Sequence, residues 1–289
     1  MDIPNFIHPL QQPYMDRQLI VVADDAVVKL SRETAIKELQ KKDLKDSINW
    51  ERITDLALRA ALGSAAGLIT VVAKEAYAAW TRARDAGINI VQISKSEAAT
   101  ITFPPGHPKD GVLYIGHPAI PNVYYTTAEF HRVTFEHKFS EAVRLLMHLG
   151  ATEINVEHMR GWSHDFSGNI TAPMPTTEAT IGAGVKSGSS NENTVLFRAT
   201  LDGTDNPRIP DQLSWFPHEA TWQSIAEARI KFGLREFALS VTYNDDFGVN
   251  AGLKATIMKT GLDVGGRFEG HTSTEWRILG KFKSKDPTI

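Results

Sequence analysis

The chain has 289 residues, of which 42% are hydrophobic and 22% charged, and its formal net charge is −3. This composition is typical of a folded protein and excludes intrinsic disorder, which requires low hydrophobicity and a high net charge. The acidic balance argues against nucleic-acid binding as the main task, because phosphate contacts need an excess of Lys and Arg. The lack of cysteine excludes disulfides, thiolate catalysis and Cys-ligated metals.

The N-terminal residues 1–16 carry three prolines at nearly even spacing, Pro4, Pro9 and Pro13. Proline is not tolerated inside a helix, so this spacing predicts an extended arm. The apolar residues between the prolines need cover, either from the body of the protein or from a partner. We therefore expect a homo-oligomer, or a protein partner that binds through this arm.

The first residues do not show the positively charged region and the apolar run that form a secretory signal. We therefore expect a cytoplasmic protein.

Residues 60–73 read AALGSAAGLITVVA, which is 14 residues without a charge. A helix that spans a membrane needs roughly 20 apolar residues, so this stretch predicts a buried helix within residues 56–80. Gly63 and Gly67 lie four residues apart, a spacing that allows two helices to approach closely. An alternative is that the 56–80 helix inserts into a membrane or lies on it.

A helical pattern that ends at a glycine and leads into a β-rich run occurs three times, at Gly87, Gly150 and Gly233. Glycine just past a helix end adopts the left-handed conformation that closes the helix. The runs that follow mostly alternate apolar and polar residues, which indicates strands with one lightly covered face. We predict an α+β protein with an antiparallel or mixed sheet of seven or more strands and packed helices, built around these three helix–Gly–strand units.

Two pairs of segments resemble hairpins, residues 97–103 with 112–115 and residues 177–186 with 194–201. The 177–201 hairpin alternates small hydroxylated residues with apolar ones, which is typical of an edge hairpin and also of pore-forming hairpins. We predict a single α+β domain over residues 17–289, with a possible weak subdivision near residue 165.

Four residues are candidates for catalysis. His164 and Asp165 lie in a loop after a predicted strand, where active-site residues are often found. His107 and His117 each stand between a glycine and a proline, whose restricted backbone would present a histidine for acid–base chemistry; such tripeptides are also typical of turns.

No metal site is predicted. His137 and Glu141 would share one face of a helix, a spacing that can ligate a metal, but HExxH is absent, so we predict a solvated helix surface there. The sequence identifies no cofactor and no small-molecule ligand.

Three functions remain. A non-catalytic intracellular protein that acts by self-assembly or partner binding is the prediction, because the P-loop, the GxSxG elbow and the other catalytic motifs are absent. One alternative is a membrane-acting, pore-forming-like effector that uses the 177–201 hairpin or the 56–80 helix. The other is a His-dependent or metal-dependent hydrolase.

Overall fold

The computed structural model describes residues 9–29, 32, 78–80, 82–83, 86–162 and 195–284. The chain divides into two compact units: unit 1 comprises Met1–His131 and Phe247–Gly270, and unit 2 comprises Arg132–Asp246 and His271–Ile289. Residue 165 lies outside the described residues, so the predicted subdivision there stays a prediction.

The strands form two separate four-stranded sheets, one in each unit. In chain order the strands are β1 Leu19–Ala23, β2 Val91–Ser94, β3 Leu113–Gly116, β4 Tyr124–Thr126, β5 Ala151–Arg160, β6 Val195–Thr200, β7 Glu236–Tyr243 and β8 Thr274–Phe282. The α-helices discussed below are the short α1 Lys95–Ala98 and the longer α2 Phe130–His148, α3 Ala220–Phe232 and α4 Ala251–Thr260. The α+β class is confirmed, whereas the predicted sheet of seven or more strands is wrong because the described strands form two sheets of four strands each.

In unit 1 the strand order is β2-β1-β3-β4, and only the β1–β2 pair is parallel. A parallel pair needs a long crossover, which residues 24–90 provide between these strands. The β1 strand is apolar on both faces, since Val21 packs with Ile90 and Leu113 while Ile20 and Val22 belong to the cluster on the opposite side. The sheet is therefore covered on both sides at its centre.

The described part of the predicted arm is not extended, because Pro9–Gln11 and Tyr14–Arg17 form 3-10 turns. Proline fits the first position of a helical turn, where its missing N–H has no partner to lose. The arm packs on unit 1, where Tyr14 Oη donates a hydrogen bond to the carbonyl of His117 at 2.9 Å. The buried Arg17 guanidinium donates to Tyr124 Oη at 3.1 Å and so ties the arm to the sheet.

A short helix replaces the strand that we predicted from residue 97. Ser94 and Glu97 form a capping box in which each side chain accepts a hydrogen bond from the backbone N–H of the other. Such a pair satisfies two N–H groups that helix formation would leave without partners. The predicted hairpin of residues 97–103 with 112–115 is therefore wrong, although β3 covers most of its second arm.

Unit 2 has the strand order β6-β5-β8-β7, and all its pairs are antiparallel. Helix α2 contributes Phe135 and Phe139, whose ring centroids lie 5.0 and 4.9 Å from that of the buried Trp276 on β8. Further along β8, a Cβ at Gly280 would overlap the carbonyl of Glu153 and the ring of Phe237, so only glycine permits this close packing.

Glycines follow both long helices of unit 2. Gly233 closes α3 at a φ of 67°, and β7 begins three residues later. Gly150 follows α2 at a φ of 88°, and β5 begins at the next residue. The helix expected before Gly87 lies largely outside the described residues, so the repeated helix–Gly–strand unit stays a prediction.

No helix among the described residues is both long enough and apolar enough to cross a membrane. Residues 56–77 of the predicted apolar helix and residues 177–194 of the predicted hairpin lie outside the described residues, and membrane insertion by either segment stays a prediction.

The guanidinium of Arg229 holds three chain segments of unit 2 together. This residue on α3 is only 3% exposed. Its Nε, Nη1 and Nη2 atoms donate hydrogen bonds to the carbonyls of Leu149, Leu234 and Lys283 at 3.0, 3.0 and 2.7 Å. Its Cζ also lies 4.9 Å from the ring centroid of Phe282. One side chain therefore joins the chain after α2, the chain after α3 and the chain after β8.

The substitution Arg229→Met tests this anchor. Methionine keeps the apolar stem but leaves three carbonyls without their charged donor, so we expect the free energy of unfolding to fall by about 3 kcal/mol. Urea denaturation followed by tryptophan fluorescence measures the change. The control Lys259→Met changes an exposed residue of α4 in unit 1 and should stay close to wild type. Equal stability of the two variants would show that Arg229 is not an anchor.

Candidate functional site

His117 is a fully buried residue that holds a turn. It follows β3, and its Nδ1 atom accepts hydrogen bonds from the backbone N–H groups of Ala119 and Ile120 at 3.0 and 2.9 Å. Because Nδ1 accepts, the proton of the neutral ring is on Nε2. The ring also packs edge-on against Tyr125 at 5.8 Å between centroids. The lone pair that a general base would use is thus already committed to the backbone.

His107 lies in unit 1 beside the phenol of Tyr114. Its Nδ1 atom is 2.7 Å from Tyr114 Oη, which also accepts the backbone N–H of Lys109 at 2.7 Å. Burial lowers the pKa of His107, and the nearby positive charge of Lys109 lowers it further by a smaller amount. Burial also raises the pKa of Tyr114 to about 12. The pair is therefore neutral near pH 7, with both rings fixed by the hydrogen bond between them.

The remaining candidates, His164 and Asp165, lie outside the described residues. The structure brings His107 and His117 into no shared catalytic arrangement, since each ring is bonded to its own local partners. Among the described residues, no group of three or more His, Asp or Glu side chains is placed to hold a metal ion.

The predicted solvated surface at His137 and Glu141 is wrong, because Glu141 is only 6% exposed. Its carboxylate accepts the backbone N–H groups of residues 214–216 at 2.7 to 2.9 Å. The indole of Trp215 donates to His137 Nδ1 at 3.0 Å, and burial lowers the pKa of that imidazole. These side chains fasten a loop to α2, which explains their burial.

The open edge of unit 2 is the stronger candidate for a functional surface. Strand β7 pairs with β8 on one side, and no described strand pairs with its other edge. One face of β7 is buried in the unit through every second residue: Phe237, Leu239, Val241 and Tyr243. The strand therefore packs against the core with one face. Its outer edge presents a row of backbone groups with which no described strand pairs.

The two ends of β7 carry opposite charges. Arg235 lies next to its first residue and is exposed. Lys231, also exposed, lies near the end of α3, where its ammonium pairs with Glu227 at 2.7 Å. Asp245 and Asp246 follow its last residue, and Asp245 is exposed. Near the basic end stands Phe232, whose side chain is 79% exposed although it is large and apolar. The ring is therefore accessible to a partner that approaches this end of β7.

Sequence reasoning predicted β7 but not its position at an edge. The alternating run REFALSVTY predicts a strand, and its charged flanks are visible in the sequence. The position of β7 within the sheet depends on its pairing with β8, whose paired residues lie 31 to 45 positions further along the chain. No local pattern reports that pairing.

Searches of protein-family models, curated proteins and solved structures found no match to this chain.

A pair of substitutions at His117 tests its role in the turn. We expect His117→Leu to lower the free energy of unfolding by about 1–3 kcal/mol, because two backbone N–H groups lose their acceptor. His117→Asn should recover part of this loss, since its Oδ1 can accept where Nδ1 did. Urea denaturation provides the measurement, with His218→Leu at an exposed site as the control. Identical stability of all three variants would contradict the assignment.

Proposed function

We propose that the protein is non-catalytic and acts by self-association, in which β7 of one copy pairs antiparallel with β7 of a second copy. The observation that carries the proposal is the edge of β7 with which no described strand pairs, together with the opposite charges at its two ends. Pairing would extend the sheet of unit 2 across both copies and satisfy the backbone groups of the edge.

The charges support a second copy in the antiparallel direction. Antiparallel pairing places the basic end of one strand, with Lys231 and Arg235, beside the acidic end of the other, with Asp245 and Asp246. A parallel arrangement would place like charges together. Two copies related by a twofold axis form this contact twice with the same residues, as isologous interfaces do.

The exposed ring of Phe232 agrees with this geometry, because it lies at the basic end, where a partner strand would cover it. Glu236, the first residue of β7, carries a negative charge at the same end, and its register partner on β8 is Lys281. The Lys138 ammonium already binds the carbonyl of Thr242 at 2.9 Å, so we place the pairing over residues 236–241.

The hydrogen bonds of three histidines support the non-catalytic part of the proposal. The imidazoles of His107, His117 and His137 each have Nδ1 bonded to a partner within their own unit. Association through residues 1–16 stays a prediction; the described part of that arm packs on unit 1, so the β7 edge has the stronger support.

Charge reversal at the strand ends tests the proposal. Arg235→Glu should weaken self-association at least about tenfold, because it places like charges together at both symmetric contacts. The double variant Arg235→Glu with Asp245→Lys should restore association, since the charges are exchanged rather than lost. Sedimentation-velocity ultracentrifugation over a concentration series measures both.

The matched control is Lys259→Glu, which makes the same charge change at an exposed site on α4 of unit 1. It should associate like wild type. A wild-type chain that stays monomeric up to its solubility limit would sink the proposal, and so would a double variant no better than the single one.

A further inference from the structure

A cavity of about 370 Å³ opens in unit 1 beside the short helix α1. Its wall is apolar, formed by Ala98 and Ala99 at the end of α1 and by Ile101, Phe103 and Pro108. Lys95 and His107 complete its lining. A largely apolar concavity with a few polar groups is the usual form of a small-molecule site, and this volume lies within the usual range.

The wall is held in place by a buried tyrosine behind it. Tyr114 is fully buried, and the ring of Phe103 packs edge-on against it at 4.8 Å between centroids. Its hydroxyl also fixes His107. Because the surrounding side chains are already ordered, a ligand entering the cavity would lose little free energy to side-chain ordering.

The same hydroxyl can set which nitrogen of His107 carries the proton. Tyr114 Oη accepts the N–H of Lys109 and can donate its own hydrogen to His107 Nδ1. In that arrangement the neutral imidazole carries its proton on Nε2, which has no hydrogen-bond partner among the described residues. His107 can then offer this N–H to a ligand in the cavity.

The charges near Lys95 disfavour an anionic ligand. Its ammonium binds Asp110 Oδ2 at 2.8 Å, and Asp24 and Asp25 are near enough to stabilise its positive charge. Asp110 binds this ammonium and Asp24 and Asp25 add negative charge nearby, which disfavours the approach of a further anion. Lys95 still has N–H groups beyond the one bonded to Asp110, and these can donate to a neutral acceptor.

We propose that this cavity binds a neutral, planar heteroaromatic molecule of one or two rings whose acceptor atom receives a hydrogen bond from His107 or Lys95. The apolar wall takes the faces of the ring, and the two donors select for an acceptor at its edge. The site lies wholly in unit 1 and is independent of the association proposed for β7.

Isothermal titration calorimetry of the full chain with isoquinoline tests this proposal, with naphthoate as the anionic probe of similar shape. In mildly alkaline buffer, isoquinoline is neutral and should bind, and naphthoate should bind at least about tenfold more weakly. Ala99→Trp fills the cavity from an exposed position and should abolish isoquinoline binding. Ala220→Trp, at an exposed position in unit 2, is the matched control and should bind like wild type.

Substitution at His107 tests the donor. His107→Leu should weaken isoquinoline binding about fivefold, while His107→Gln, which keeps an N–H donor near the Nε2 position, should weaken it less. Thermal denaturation of each variant establishes that it is folded. The proposal is overturned if isoquinoline does not bind, if folded Ala99→Trp binds it unchanged, or if naphthoate binds more tightly.

Discussion

The buried guanidinium of Arg229 joins the segment that leads into β7 to two other segments of unit 2. Its three donated hydrogen bonds reach the carbonyls of Leu149, Leu234 and Lys283, which belong to three different parts of unit 2. A buried guanidinium is costly unless its donors are satisfied, and here the backbone satisfies them. Leu234 lies between the glycine that ends α3 and the first residue of β7, so this contact fixes where the open edge begins.

The open edge of β7 is formed by the residues that follow this anchor in the chain. Gly233 turns the chain out of α3 at a φ of 67°, a conformation that other residues seldom adopt. The alternating residues of β7 then bury one face of the strand in unit 2, and β8 occupies one of its two edges. No described strand pairs with the second edge, and charged residues of opposite sign lie near its two ends. Self-association is the simplest use of such an edge, because the same strand in a second copy is its complement.

Local signals predicted part of this structure. The pattern that ends at Gly233 predicted both the helix cap and the strand after it, because capping and alternation depend on neighbouring residues. Ser94 and Glu97 are the signature of a capping box, yet the turn-rich segment after them favoured a hairpin. The burial of Glu141 was not predictable, since its partners are backbone groups more than 70 residues away. The division into two sheets depends on long-range pairing in the same way.

Hydrogen exchange of the β7 amides, measured by mass spectrometry over a series of protein concentrations, tests self-association through this edge most directly. If copies pair through β7, exchange in residues 236–241 slows as the concentration rises, because the outward N–H groups gain partners. Exchange in β8, which is already paired on both sides, should not change with concentration. Exchange in β7 that is the same at every concentration would contradict the account.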